Sequence, residues 1–235
     1  MKHQTEINWE HRGILIDWII QVHARFNLLP ESLFLTVNLI DRFLSLRPIS
    51  LSKLQLVGLA CFFIATKFEE TCAPSVTEIV FLSDNQYTTA EVLKAEMYIL
   101  KVTQWDLRCP GPMNWLRRGS KADDCDSNAR TVAKYLCEIG CVERRLVGVV
   151  PSLIAAAALW LGRMVVGRED WVSIPRAFSR ISLTLPAAPH PGALHNLFGE
   201  GDLPHRYHYA RVHHHEPCPA RIAVHEVCSQ EVSQG

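Results

Sequence analysis

The 235-residue sequence has no excess of either charge. Its 24 lysines and arginines balance 24 aspartates and glutamates, which gives zero net charge with neutral histidines. The composition therefore gives no indication of a basic surface for nucleic acid or for an anionic membrane. The sequence also lacks a GxGxxG loop, an HRD or DFG segment and a Walker lysine. We therefore expect no catalytic residues, no cofactor and no phosphoryl transfer by the chain itself.

Paired CxxC spacing is also missing. The eight cysteines are scattered, which favours reduced, buried thiols in an intracellular protein. Cys137 and Cys141 lie four residues apart without a second ligand pair, so we expect core positions rather than a metal site. The histidine run from 213 to 215 with Cys218 stands in a low-complexity region. We expect no metal there either.

Long uninterrupted apolar runs are scarce as well. The most apolar stretch, from Leu146 to Gly162, is interrupted by Pro151 and Ser152, which favours a buried core helix over a transmembrane segment. Strand-like alternation of useful length is absent. The sequence therefore predicts an all-α fold.

Helical periodicity dominates residues 1–171. Apolar residues at three- and four-residue steps predict a first helix, Pro30 opens a second, and Ser75 begins a short fourth. Thr88 or Thr89 caps a fifth helix, which places Val92, Leu93, Ile99 and Leu100 on one face. The third, "LACFFIATKFEE", is apolar on nearly all sides, so we expect the other helices to surround it.

A second, incomplete copy of this layout follows the Pro110-Gly111-Pro112 break. It comprises a short helix at Trp115-Leu116, a helix over about 126–140, and the apolar run "PSLIAAAALWLGRMVV". After residue 171 the composition changes. Residues 172–235 contain no lysine, seven of the thirteen prolines and eight of the eleven histidines. We expect this tail to be disordered, or to be translated from a retained intron and an out-of-frame exon.

Charged residues near the end of the third helix break a local rule. Glu69 and Glu70 stand where the helix dipole disfavours negative charge, and such breaks are often functional. Lys67 and Glu96 each stand on an apolar helix face. Either they pair within the bundle, or they form a contact site for a partner.

Three segments in this order carry a family resemblance: "HRGILIDWIIQVHARFNLLPESLFLTVNLIDRFLS", "KLQLVGLACFFIATKFEE" and "RRGSKADDCDSNARTVAKYL". They resemble the cyclin family, most closely fungal B-type mitotic cyclins, over residues 1–171. Five positions typical of the first cyclin box are present: Arg12, Asp41, Leu56, Lys67 and Glu96. The resemblance implies a complete first box over 1–108 and a truncated second box over 109–171. "MKHQTEINW" resembles the interior of the helix before the box, so we expect a longer natural protein.

The resemblance implies a function and its site. The chain would be a regulatory subunit, itself not an enzyme, that binds and activates a mitotic cyclin-dependent kinase in the nucleus and cytoplasm. The implied kinase-binding residues are Lys67, Phe68, Glu69, Glu96 and Leu100. Arg12 and Asp41 are implied to form an internal salt bridge that fixes the first two helices.

The family also has a substrate-docking patch for short motifs that contain arginine and leucine. In this sequence the patch would comprise Ile14, Leu15, Trp18, Gln21, Leu54 and Gln55. His11 departs from the usual methionine, and Gln21 places a neutral amide where some members have a carboxylate. We therefore expect weaker docking of the motif arginine than in those members.

Two alternatives remain open at this point. Cyclin-box repeats also occur in binding modules that do not activate a kinase, such as general transcription factors and pocket proteins. A truncated second box could also leave the chain too unstable to function.

Overall fold

The structure is a computed structural model that describes residues 3–122 and 126–168. Over these residues the regular elements are eight α-helices and two short 3-10 turns, which confirms the all-α prediction. The helices are α1 (Trp9–Phe26), α2 (Pro30–Leu46), α3 (Leu54–Glu69), α4 (Val76–Phe81), α5 (Thr89–Val102), α6 (Pro112–Ala122), α7 (Ser127–Gly140) and α8 (Pro151–Val165). The tail expected at 172–235 lies outside the described residues.

Local sequence signals account for most helix starts. Asn8, Ser75 and Thr88 each form a capping box with the residue three positions later, which satisfies backbone N–H groups that have no partner within the helix. Pro30 and Pro151 occupy first-turn positions, where the missing N–H of proline costs nothing. These signals therefore fix where five of the eight helices begin.

Helix α3 forms the centre of the first bundle. Every residue from Leu56 to Thr66 is buried, as expected for a helix that is apolar on nearly all sides. Gly58 permits the approach of α1, because a Cβ atom there would lie 2.7 Å from Cδ1 of Leu15. The α3 segment with its preceding turn, Leu51–Glu69, is long and apolar enough to span a membrane by length and composition alone, but it is 67% buried inside the protein. That burial is typical of a core helix.

The second bundle consists of α6, α7 and α8 over the described residues. A Cβ atom at Gly162 would lie 2.6 Å from the carbonyl oxygen of Ala129, so this glycine allows α7 and α8 to pack closely. Helix α8 is less enclosed than α3, since Ile154, Trp160 and Leu161 are only partly buried.

Helix α2 contributes to both cores. Most of its buried residues belong to the first core, whereas Phe34 packs with Met113, Leu116 and Leu159 in the second. Arg117 of α6 forms an ion pair with Glu31 near the start of α2. The two bundles therefore share one helix instead of meeting only through a linker.

Arg12 links three elements from a fully buried position. Its side chain is 1% exposed. Its Nε and Nη2 atoms donate to the two carboxylate oxygens of Asp41 at 2.6 and 2.8 Å. Its Nη1 atom donates to the carbonyl oxygens of Cys141 and Val142 at 2.9 and 3.3 Å, directly after α7. The guanidinium thus joins α1 to α2 and also caps the C-terminal end of α7, where a cation is favourable.

Replacing Arg12 by alanine should lower the free energy of unfolding by about 3–5 kcal/mol, because Asp41 would lose its only ion pair within the described structure. Chemical denaturation measures this loss. Arg108→Ala is the control, since Arg108 is 91% exposed and, among the described residues, pairs only with nearby Asp106. That change should alter stability by no more than about 1 kcal/mol. Equal losses for the two variants would contradict the assigned role of Arg12.

Candidate functional site

Lys67 and Glu96 are brought together on neighbouring helices. Lys67 lies in the last turn of α3, and its Nζ atom forms an ion pair with Oε1 of Glu96 on α5. The same Nζ atom lies 4.1 Å from the ring centroid of Phe63, one turn earlier on α3. A carboxylate and an aromatic face therefore hold the ammonium group in place. This geometry agrees with the first of the two alternatives drawn from the sequence, in which Lys67 and Glu96 pair within the bundle.

The two members of the pair differ sharply in burial. The Lys67 side chain is 43% exposed, whereas that of Glu96 is 8% exposed. Glu96 lies among Val92, Ile99 and Leu100 on the buried face of α5. Lys67 thus covers an acid that is largely removed from water, while it keeps access to solvent itself.

Exposed apolar side chains lie near the pair in sequence on both helices. Phe68, next to Lys67, is 53% exposed. Leu93 and Met97, four residues apart on α5, are 41% and 44% exposed. The helical period placed Leu93 on one face with Val92, Ile99 and Leu100, but those three are buried and Leu93 is not. Met97 was not singled out from the sequence. Leu100 is only 6% exposed, so it belongs to the core and not to this surface.

Glu70 has a structural role that the sequence analysis missed. Helices α2 and α3 run antiparallel, so the C-terminal end of α3 lies beside the N-terminal end of α2. Oε1 of Glu70 accepts hydrogen bonds from the backbone N–H of Leu29 and from the hydroxyl of Ser32. A carboxylate is favourable there because the N-terminal end of a helix carries partial positive charge. For Glu70, the apparent rule break at the end of α3 is therefore explained by the neighbouring helix and needs no partner protein.

Glu69 remains the unexplained acid at that end. No hydrogen bond or ion pair to it occurs within 3–122 and 126–168, and it lines a cavity beside α2 and α6. Partial burial, and then the nearby carboxylates of Glu31 and Glu70, raise the pKa of Glu69. The ionised form of this residue is therefore less favoured in the folded protein than in a free glutamate.

The expected docking patch is only partly exposed. Ile14 is 69% exposed, Gln21 is exposed, and Trp18 and Gln55 are half-buried. Leu15 and Leu54 are 4% and 6% exposed, which contradicts their placement on an open patch. Leu15 is held between α1 and α3, where its side chain packs against Gly58.

The expected docking patch adjoins a carboxylate that was not considered from the sequence. The amide nitrogen of Gln21 donates a hydrogen bond to Oδ2 of Asp17 at 2.9 Å. Asp17 lies three residues after Ile14 and four before Gln21, so all three share one helix face. The spacing of Ile14, Asp17 and Gln21, three and then four residues apart, was the sequence signal that could have identified this acid. The expectation of weaker arginine docking rested on Gln21 alone and did not include this acid.

Metal-binding groups are absent from the part of the chain that the structure describes. Cys137 and Cys141 lie on the same helical turn, and the Sγ atom of Cys141 contacts the carbonyl oxygen of Cys137. Burial raises the pKa of the Cys137 thiol to about 12. The histidine run at 213–215 lies outside the described residues.

The burial difference between Lys67 and Glu96 predicts unequal effects on folding. Lys67→Met should lower the free energy of unfolding by about 1–3 kcal/mol, because it leaves the buried Glu96 carboxylate without its cation. Glu96→Gln should cost less than about 1 kcal/mol, since the released lysine already contacts water. Urea denaturation of both single variants and the double variant measures this. The double variant should recover part of the Lys67→Met loss, and a larger loss for Glu96→Gln would contradict the interpretation.

The raised pKa of Glu69 predicts a pH-dependent effect on stability. Above that pKa the folded state carries an unfavourable charge, so Glu69→Gln should raise Tm at pH 7. Between the ordinary glutamate pKa and the raised value, the folded state binds more protons than the unfolded state, so stability increases as pH falls. The Tm advantage of the variant should therefore shrink on acidification. Thermal melts across this range test the sign, with Glu10→Gln, an exposed site on α1, as the control. A Tm difference between Glu69→Gln and the native chain that does not change with pH would contradict the raised pKa of Glu69.

Comparison with known proteins identifies both bundles. Residues 1–108 match the family described as Cyclin, N-terminal domain, and residues 110–184 match Cyclin, C-terminal domain. The G2/mitotic-specific cyclin cdc13 of Schizosaccharomyces pombe is 56% identical over 171 residues, which are 73% of this chain and 36% of that protein. G2/mitotic-specific cyclin-4 of Candida albicans is 51% identical over 174 residues, which are 74% of this chain and 36% of that protein. The chain thus spans about a third of the length of the curated relatives it matches.

Solved structures are similar in fold. A viral cyclin from herpesvirus saimiri superposes with a TM-score of 0.70 at 23% identity, covering 77% of this chain and 81% of that chain. The yeast RNA Pol II CTD kinase CTDK-1 complex contains a chain with a TM-score of 0.60 at 12% identity, covering 72% of this chain and 63% of that chain. At these identities the likeness concerns the fold alone. The two domain matches and the identity to fungal mitotic cyclins establish that the chain belongs to the cyclin family.

Proposed function

We propose that the chain is a regulatory subunit that binds and activates a mitotic cyclin-dependent protein kinase and so acts in the G2/M phase of the cell cycle. The observation that carries this proposal is the Lys67–Glu96 pair beside the exposed ring of Phe68. Similarity to G2/mitotic-specific cyclins supports the phase of action. Action in the nucleus and the cytoplasm is part of the same proposal.

The proposed contact combines fixed polar groups with apolar area. The Lys67 ammonium is held between Glu96 and the Phe63 ring, and it remains exposed enough to donate a further hydrogen bond to a backbone carbonyl. Phe68 supplies exposed aromatic area next to it, and Leu93 and Met97 widen the apolar surface on α5. Because the Lys67 side chain is already ordered, little rotamer entropy is lost when a partner binds.

Activation in this proposal works through the conformation of the kinase. A rigid helical surface would hold the mobile helix of the kinase inward, so that its catalytic Lys–Glu pair forms and its activation segment becomes ordered. The chain itself contributes no reacting atom. Its role is to bind the active conformation more tightly than the inactive one.

The docking patch is proposed as a second contact, for arginine- and leucine-containing motifs of substrates or inhibitors. Its accessible part is Ile14, Trp18, Gln21 and Gln55, with Asp17 as an acceptor for the motif arginine. Leu15 and Leu54 are buried and add no accessible area to it.

The test of kinase binding uses the full chain and a purified mitotic cyclin-dependent kinase. Lys67→Met and Glu96→Gln should each weaken affinity by about 2–5 kcal/mol, and the double variant should lose little more than either single one. Phe68→Ala should weaken affinity by about 1–3 kcal/mol, since it removes exposed apolar area without touching the ion pair. Calorimetry measures affinity, and phosphorylation of a substrate measures activation.

Lys94→Ala is the matched control for this experiment. Lys94 is an exposed lysine on α5, two residues before Glu96, and its removal should leave affinity unchanged. Affinities are compared per folded molecule, so that a loss of stability is not read as a loss of binding. If Lys67→Met lowers only stability, the pair is purely structural. Binding without activation would instead favour a cyclin-fold module that does not activate the kinase.

A further inference from the structure

The segment before α1 is attached to the connection between α2 and α3. The side-chain amide nitrogen of Gln4 donates to the carbonyl oxygens of Leu44 and Arg47, each at 2.7 Å. The amide oxygen of Gln4 accepts from the backbone N–H of Ile49 at 3.1 Å. One side chain thus makes three hydrogen bonds to a part of the chain that lies 40 to 45 residues further on.

These bonds satisfy backbone groups that no helix satisfies. Leu44 lies in the last turn of α2 and Arg47 directly follows that helix, so their carbonyl oxygens need donors from elsewhere. Glu6 acts in a similar way, because its Oε2 atom accepts from the backbone N–H of Leu51 at 3.1 Å. The side chains of Gln4 and Glu6 therefore hold the connection from the end of α2 to the turn before α3.

The start of α3 has no side-chain cap of its own. Ser50 precedes the 3-10 turn Leu51–Lys53, and Lys53 precedes α3, but neither side chain makes a capping hydrogen bond. The direction in which the chain enters α3 is therefore set by contacts from other segments. Gln4 and Glu6 supply such contacts for the connection before the turn.

The turn itself is held from a different side. The hydroxyl of Tyr87 donates to the carbonyl oxygen of Ser52 at 3.1 Å, and Lys53 forms an ion pair with Glu91. These contacts come from α5 and from the residues just before it. They do not involve the segment that leads into α1, so Gln4 has a separate role.

The same connection leads into the proposed docking patch. Gln55, an accessible member of the patch, is the second residue of α3. The other accessible members, Ile14, Trp18 and Gln21, lie on α1, which begins shortly after Gln4 in the sequence. Gln4 therefore joins the two segments that lead into the two sides of the patch.

We propose that Gln4 is a positioning residue for the docking patch: it fixes the connection between α2 and α3 and so sets where Gln55 lies relative to Trp18. This role rests on the proposed docking of arginine- and leucine-containing motifs, and Gln4 acts through Gln55 without touching the motif. A short motif makes few contacts, so its affinity depends on contact groups that are already in place. Loss of the Gln4 bonds should weaken docking although every patch residue is retained.

The first test measures the affinity of the full chain for a synthetic peptide that carries the arginine- and leucine-containing motif. Gln4→Met keeps a similar side-chain length but cannot make the three hydrogen bonds, so it should weaken peptide binding about three- to tenfold. Glu6→Ala removes only the bond to Leu51 and should act in the same direction, which provides a second variant if Gln4→Met does not fold. Thermal melts show whether each variant is folded during the titration.

Gln86→Met is the matched control for this experiment. Gln86 is exposed, and its side chain makes no hydrogen bond within 3–122 and 126–168. Its replacement by methionine should leave peptide affinity unchanged. A loss of affinity as large as that of Gln4→Met would contradict the role of the Gln4 bonds.

Enzyme kinetics separate positioning from a general loss of structure. In complex with the kinase, Gln4→Met should raise KM about three- to tenfold for a substrate that carries the motif and leave kcat unchanged. KM for the same substrate with the motif arginine and leucine replaced by alanine should not change. An equal rise in KM for both substrates, or a fall in kcat for both, would overturn the proposal.

The peptide titration also separates this proposal from the proposed function. If the native chain binds the peptide and both Gln4→Met and Glu6→Ala bind it equally well, the positioning role is wrong and the docking patch stands. If the native chain does not bind the peptide, the docking patch is wrong, and the role of Gln4 is wrong as well. Kinase affinity of Gln4→Met should stay unchanged, because Lys67 lies at the opposite end of α3.

Discussion

The buried guanidinium of Arg12 is the constraint on which the arrangement of the two bundles depends. Its bidentate contact with Asp41 fixes α1 against α2, and its remaining contacts hold the C-terminal end of α7. A buried charge is tolerated only when its donors are satisfied, and here partners from both bundles satisfy them. The position of the second bundle is therefore coupled to α1, which also carries Ile14, Trp18 and Gln21 of the proposed docking patch.

Antiparallel packing of α2 and α3 determines where the acidic residues at the C-terminal end of α3 lie. It places the C-terminal acids of α3 against the N-terminal turn of α2, where Glu70 bonds to Leu29 and Ser32. This arrangement also places Glu69 beside Glu31, so carboxylates accumulate at the boundary between the bundles. The excess negative charge is a consequence of how the helices pack. Partial burial, and then this charge, raise the pKa of Glu69.

The sequence predicted the parts of this fold that depend on local signals. Capping at Ser75 and Thr88 is readable because it needs only residues three apart, and the apolar run of α3 identified the central helix. Two pairings between distant residues were expected, Arg12 with Asp41 from the resemblance and Lys67 with Glu96 as one of two alternatives. Other properties that depend on distant neighbours were not predicted. Burial of Leu15 depends on Gly58 of another helix, and the bonds of Glu70 depend on a segment 41 residues away. The helical period alone could not distinguish the buried face of α5 from the exposed positions beside it. Leu93 occupies one of these exposed positions.

The difference in burial between Lys67 and Glu96 bears on how a binding surface can form on a stable core. Glu96 is already removed from water in the free protein. The free-energy cost of its desolvation is therefore a cost of folding and not of association. Lys67 compensates for the buried acid and still has donors left over. A partner that approaches Lys67 therefore meets a cation whose position is already fixed and whose remaining hydration is partial. Such preorganisation favours specific binding because fewer groups must be ordered or desolvated at the moment of contact.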